Sequence, residues 1–368
     1  MSQTIGAPQV DGGNVLAAAG KWFLESGIQE PHGGAARYHY IAERRNAGIS
    51  TEITGYTVSA LLELYGRTGA AEYLNAARRA GDFLCGAWDP ECRAMPFEWS
   101  PNGDVRRLSY FFDNGIIVRA LLRLWRATGE NRYRQTAERC GESMERDFVN
   151  SHDIHPILAL PSKQPLPRDG RWSASSGCYQ LKSALAWLEL AEVAGEQRLA
   201  KAFERTMRQA LATHGQFLDA APDGPSRMDR LHAYSYFLEA LLARPEGAGV
   251  RQALREGIDH AANELRRIRA EFERSDVNAQ LLRVRLWADA LGLVALDERT
   301  AGEEARRVAG YQMSSPDAAS NGCFNFGSRR GAPTNFANPV STAFCLQALA
   351  MWEERCNGGL KTPWHRLI

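Results

Sequence analysis

The feature that most restricts how this chain can fold is a partial copy of itself. Shifted by 60 residues, Gly55, Val58, Ala60, Leu61, Leu62 and Leu64 fall on Gly115, Val118, Ala120, Leu121, Leu122 and Leu124. The match runs on from Thr68, Gly69, Tyr73, Ala77, Arg79 and Gly81 to Thr128, Gly129, Tyr133, Ala137, Arg139 and Gly141. A period of this size marks a repeat architecture, in which each unit buries its apolar face only by stacking on the next. Within the unit, a helix that is apolar around most of its circumference (TVSALLELYG) reaches a Thr-Gly turn, and the glycine suits a left-handed C-cap. A second helix (AEYLNAARRAGDFL) keeps Arg and Glu on one face. The unit is therefore an αα-hairpin with a buried inner helix and a half-solvated outer one.

Weaker copies follow: YQLKSALAWLELAEVAG before LAKAFERTMRQAL, HAYSYFLEALLA before VRQALREGIDHAANELRRI, NAQLLRVRLWADALG before ERTAGEEARRVAG, and finally STAFCLQALAMWEE. The final inner helix has no outer helix after it, which leaves the opening segment NVLAAAGKWFLESG as its partner. The expected fold is all-α, an (α/α)6 toroid of six helical hairpins built as a single domain over residues 1–368. An open superhelix is the rival arrangement. Long connections near 28–50, 86–110, 150–176 and 312–338 are rich in Gly, Pro, aromatic and charged residues, a length and composition typical of functional loops.

With 44 Lys and Arg against 43 Asp and Glu, the formal net charge is +1, so no global field draws the chain to nucleic acid or to an anionic membrane. The stretch from Met1 to Asn14 has neither a basic nor an apolar leader region, and no apolar run is long enough to span a bilayer. A cytoplasmic location is the expectation. Seven cysteines, an odd number with no CxxC pair, read as reduced thiols. There is no GxGxxG after a strand, no GxxxxGK[ST], no GxSxG and no acidic DDxxD run, so no cofactor is expected. His152, Asp153 and His155 lack a helix-spaced third ligand, and no metal is expected either.

If the inner helices run parallel, their N-termini and unpaired N–H groups collect at one mouth of the toroid, which favours an anionic ligand. The residues there are unusually polar and aromatic: TEITGY, YFFDNG, GCYQLK, LHAYSY, DVNAQ and NPVST. Glu52 and Asp113 open the first two inner helices one residue out of step with the repeat, and form a carboxylate pair suited to acid–base work. Each could instead only complement its helix dipole. His232, with Tyr234 and Tyr236, stands at the expected start of the fourth inner helix, as a proton-transfer or sugar-stacking group or as a structural histidine. Candidate ligand contacts are Arg37, Tyr38, Tyr56, Tyr110, Asn114, Tyr179, Gln180, Tyr234, Asn278, Arg329 and Asn335, with ordinary loop hydrogen bonding as the alternative for the Arg and Asn side chains. Trp172 is a candidate sugar platform or packing anchor.

The segments GGAARY at Gly33–Tyr38, TEITGYTVSALLELY from Thr51, FFDNGIIVRALLRLWRATG from Phe111, HAYSYFLEALL from His232 and NAQLLRVRLW from Asn278 carry a resemblance. Across nearly its whole length the chain resembles the α/α-toroid proteins of bacterial exopolysaccharide gene clusters. The wider group includes six-hairpin glycosidases, uronate lyases and glucuronyl C5-epimerase domains. The chain departs from that pattern in having Ser50 and Thr51 before Glu52, Asn114 after Asp113, and NPVSTAF at the last inner helix. The resemblance implies a carbohydrate context without naming a reaction. The resulting expectation is an enzyme acting on an anionic, uronate-containing saccharide by hydrolysis, elimination or epimerisation. A non-catalytic glycan-binding or scaffold protein of polysaccharide assembly is the alternative, and an isoprenoid-processing toroid a third reading that the polar helix starts disfavour.

Overall fold

The computed structural model describes residues 12–150 and 153–368, so His152 and the segment before Gly12 lie outside the described residues. Twelve α-helices occur among the described residues. The inner helices are α2 (Thr51–Thr68), α4 (Phe111–Thr128), α6 (Gln180–Ala194), α8 (Gly224–Leu241), α10 (Ser275–Ala290) and α12 (Pro339–Cys356). The outer helices are α1 (Gly12–Glu25), α3 (Ala71–Ala87), α5 (Asn131–Phe148), α7 (Gln197–Thr213), α9 (Val250–Ile268) and α11 (Glu298–Ala309). Each inner helix packs on the next and α12 packs back on α2, which closes the ring as an α/α toroid and excludes the open superhelix. The opening helix α1 lies against α12, completing the sixth hairpin.

The repeat is visible in atomic detail. Gly69, Gly129 and Gly195 end α2, α4 and α6 at φ 71, 73 and 72, each sending its N–H back to the carbonyl of Tyr65, Trp125 or Ala191. At the two Thr-Gly turns Thr68 and Thr128 donate to Leu64 and Leu124 carbonyls at 2.8 and 2.9 Å. Gly81 on α3 and Gly141 on α5 leave the space that Leu124 and Leu190 of the following inner helices fill; an added Cβ would lie 2.2 or 2.1 Å from those leucines. The paired glycines of the inner helices have separate roles. A Cβ on Gly115 would lie 2.5 Å from the Ser183 backbone of α6, whereas one on Gly55 would meet α4 at 3.4 Å. Gly115→Ala should therefore cost about 2 kcal/mol or more through overpacking against backbone, and Gly55→Ala under about 1 kcal/mol. Denaturant unfolding of both variants checks this, and equal losses would refute it.

The long connections contain short strands that the sequence does not signal, since two or three residues cannot display alternation. Ile49–Ser50 pairs with Glu98–Trp99, Leu108–Tyr110 with Ile157–Ala159, Phe272–Arg274 with Gly327–Arg329, and His39–Tyr40 with Phe336–Ala337. The first three lead straight into α2, α4 and α10, so each helix start is fixed by a ladder to a neighbouring loop. A second difference concerns α8, which begins at Gly224, well before His232. Asp223 caps it by accepting from the Ser226 N–H at 2.7 Å, and Pro225 occupies its first turn, a start signal hidden in what reads as a loop. His232 is thus an interior helical residue, and its helix contributes no N–H terminus at that level.

At the opposite end the axis is filled by the segment Trp364–Ile368. Arg123 and Arg119 donate to the carbonyls of Arg366 and Leu367, both at 3.2 Å. Lys182 and Arg283 both donate to the Ile368 carbonyl at 3.1 Å. Gln347 bonds the Arg366 carbonyl and the Ile368 N–H at 2.8 and 3.0 Å. Arg366 reaches Glu63 of α2 at 3.1 Å, and Glu239 of α8 pairs with Lys182 and Arg283. All six inner helices meet this segment or its direct partners. Among the described residues no helix is long and apolar enough to cross a membrane.

Candidate active site

The mouth where the inner helices enter holds a cavity of about 340 Å³. Glu52, Asp113, Tyr236 and His232 line it together with Arg37, Tyr110, Tyr179, Phe97, Phe112, Arg171, Trp172, Arg274 and Asp276. All four candidate catalytic residues thus reach one space, from α2, α4 and α8. Their convergence follows from the ring: Glu52 and Asp113 lie in the first turns of α2 and α4, and the longer α8 brings its interior residues His232 and Tyr236 to the same axis.

Glu52 and Asp113 lie in the first turns of their helices. Removal from bulk water pushes the Glu52 carboxyl up to about 7, with the Arg37 guanidinium pulling the other way. Asp113 is buried, its Oδ2 has no hydrogen-bond partner, and burial together with the charge of Glu52 holds its carboxyl well above the usual range. The two carboxyls disfavour each other's charge, so they lose their protons as a coupled pair.

Beneath Glu52, one turn along α2, Tyr56 donates to the Tyr236 hydroxyl at 3.0 Å. That leaves the Tyr236 proton free to point into the cavity. His232 is buried with Nδ1 2.7 Å from Gln280 Oε1 and 3.8 Å from Asp276 Oδ2. Burial, then the nearby Arg274, pushes its pKa down to about 3, so the imidazole is neutral near neutral pH. With Nδ1–H given to Gln280, Nε2 is the nitrogen left as an acceptor.

The cations of the wall are held differently. Arg37 gives Nη1 to Glu98 at 2.7 Å and lies 5.1 Å over the Phe97 ring, leaving Nε and Nη2 for a ligand. Arg274 is committed: it binds Asp276 through Nε and Nη2 at 2.9 and 2.7 Å, and Asp229 through Nη1 at 2.8 Å. Arg171, at the rim, is engaged with Asp169. Trp172 stands edge-on to Tyr179 at 5.0 Å, and Tyr179 secures its hydroxyl on the Ser175 carbonyl at 2.9 Å, offering only its ring.

Other candidates fall elsewhere. Tyr234 turns outward, its hydroxyl 2.9 Å from His214 Nδ1. Asn114 and Asn278 donate back to the Tyr110 and Arg274 carbonyls at 2.7 and 3.0 Å, closing the corners where strand becomes helix. Gln180 ties the Gly177 N–H and the Ile154 carbonyl, both at 3.2 Å. Arg329 is exposed over the Phe272 ring at 4.2 Å, and Asn335 joins the first and last long loops through Ala42 and Glu43, both at 2.8 Å. Tyr38 sits outside the cavity against Tyr40 and Phe336, at 5.0 and 5.5 Å. Asp153 is paired with Arg168 and the His155 ring meets Asn150 at 2.9 Å. Among the described residues no group of His, Cys, Asp and Glu is arranged to hold a metal. Sequence reasoning missed Phe97 and Arg171, which come from long loops with no helix start to single them out.

Neither a protein-family model nor a curated protein sequence matches the chain. Its fold is similar to that of a cellobiose 2-epimerase from Spirochaeta thermophila, with a TM-score of 0.71 and 16% identity over 92% of this chain and 96% of that one. It is similar also to a D-mannose isomerase, with a TM-score of 0.71 and 10% identity over 95% and 99%. An α-1,6-mannanase from a Salegentibacter species follows, with a TM-score of 0.59 and 13% identity over 92% and 99%. At these identities the likeness establishes a shared α/α-toroid fold.

Proposed function

We propose that this chain is a carbohydrate-active enzyme that hydrolyses an anionic, uronate-containing saccharide of polysaccharide metabolism, with Asp113 as general acid and Glu52 as general base. The observation that carries the reading is that Glu52 and Asp113 line one cavity, the second of them buried with an oxygen that has no hydrogen-bond partner. Burial raises both carboxyls and each disfavours the charge of the other, so the pair can hold one proton between them; Asp113, the more deeply buried, is assigned the acid role. Asp113 delivers its proton to the glycosidic oxygen as the C–O bond breaks. Glu52 removes a proton from the water that bonds to the anomeric carbon, and the proton returns from Glu52 to Asp113 through solvent. The Tyr236 hydroxyl donates to a sugar oxygen, and Arg37 meets the uronate carboxylate with its two unused donors. The names of the structural neighbours, two acting on sugars by epimerisation or isomerisation and one a mannanase, support a saccharide as the substrate class.

A second reading rests on His232. A neutral imidazole on the cavity wall, with Nε2 left as the acceptor, can take a carbon-bound proton, the step that elimination and epimerisation share. Oligogalacturonides and alginate oligosaccharides, with cello-oligosaccharides as neutral counterparts, separate the readings. Hydrolysis releases reducing ends, elimination gives an ultraviolet-absorbing unsaturated product, and epimerisation exchanges solvent deuterium without cleavage. The expected result is reducing ends from the uronate series, with kcat/KM rising with pH through about 7 as Glu52 ionises. Binding without any turnover would favour the non-catalytic alternative.

A further inference from the structure

We propose that the binding site continues beyond the cavity along an arc of aromatic rings on its rim, so that the ligand is an oligosaccharide whose next sugar ring lies on Tyr38 and Phe336. This rests on the saccharide reading above. The arc starts inside the cavity, where Phe97 and Tyr110 stand 4.7 Å apart. Arg37 bridges outward, its guanidinium 5.1 Å from the Phe97 ring and 5.9 Å from the Tyr38 ring. Tyr38 lies 5.5 Å from Phe336, and Phe336 lies 4.8 Å from Phe326. Phe326 then carries Arg274 at 4.6 Å, which is again a cavity residue.

Both ends of the arc therefore meet the cavity wall, and every ring in it is only partly buried. A sugar offers apolar C–H faces to stack on such rings and hydroxyls or a carboxylate for the guanidinium between them. The platform is held in place: His39–Tyr40 pairs with Phe336–Ala337 in register Tyr40 to Phe336, and the Tyr40 hydroxyl donates to that of Tyr38 at 3.4 Å. A cavity of about 340 Å³ lies at the small end of the roughly 300–1,000 Å³ of ligand pockets, so a longer chain has to leave it.

The test is a length series of oligogalacturonides, or of cello-oligosaccharides if the wild type accepts only neutral chains. In the wild type KM should fall as the chain lengthens. Tyr38→Ala and Phe336→Ala should each remove about 3- to 10-fold of that gain, whereas Tyr38→Phe, which keeps the ring, retains it. Thermal unfolding of each variant separates lost stacking from lost structure. If the wild type gains nothing from length, or if the folded alanine variants keep the gain, the rim subsite is refuted while hydrolysis of the shortest substrate still stands. If the wild type neither binds nor turns over any saccharide in either series, the functional reading itself fails and the subsite with it.

Discussion

Glu52→Gln and Asp113→Asn are each expected to lower kcat/KM by about 10²- to 10⁴-fold, the usual scale of a general acid or base, while making the folded protein more stable near pH 8. The sign follows from linkage. A carboxyl whose folded pKa is raised binds its proton more tightly when folded, so below about 4.5 it has no effect on stability. As pH climbs from 4.5 to about 7 the wild type loses stability, and above about 7 the loss is constant. For Glu52 the shift is worth about 2–3 kcal/mol, reduced by the carboxylate's partial access to the cavity, and Glu52→Gln removes that handicap. Unfolding midpoints of wild type and variants at about pH 5 and about pH 8 test it, since the gap between wild type and each variant should be wider at the higher pH. Unchanged turnover in both variants would remove the pair from the mechanism.

The largest purely structural effect is expected at Glu239. It is fully buried with Lys182 at 2.9 Å on one oxygen and Arg283 on the other, both also fully buried. Burial pushes Lys182 down to about 7 even with this partner. Glu239→Gln leaves two cations facing each other without a counter-charge, and should cost about 3–5 kcal/mol. Because Lys182 relieves the conflict by losing its proton, the deficit should be greater at about pH 6 than at about pH 9. Urea unfolding at both values decides the matter; a deficit below about 1 kcal/mol at the lower one would mean that the cluster relaxes or admits water.

The toroid was legible because hairpins repeat: the Leu pattern and the Thr-Gly turns carry the 3.6-residue period and its stop signal twice over. The position of the cavity was legible for the same reason, since the starts of α2 and α4 share one mouth. Side-chain direction was not. Each helical step turns about 100°, so Tyr234 and Tyr236, two residues apart, face opposite ways, and only the second meets the cavity. Asn114 and Asn278 resembled ligand contacts because a polar residue near a helix start has the same composition whether it binds a ligand or a backbone carbonyl. Phe97 and Arg171 come from loops whose paths are fixed by two- and three-residue ladders, too short to leave a periodic trace.

The filled axis has a consequence for how the chain reaches this structure. The contacts of Leu367 with Arg119 and of Arg366 with Glu63 span 248 and 303 residues of sequence. Until those contacts form, Arg119, Arg123, Lys182 and Arg283 lack the carbonyls that satisfy them in the ring. Helical hairpins assemble quickly from local contacts, but this layer can be completed only after a very long loop closes. Folding should therefore divide into a fast gain of helix and a slower, cooperative locking step in which ring and axis close together.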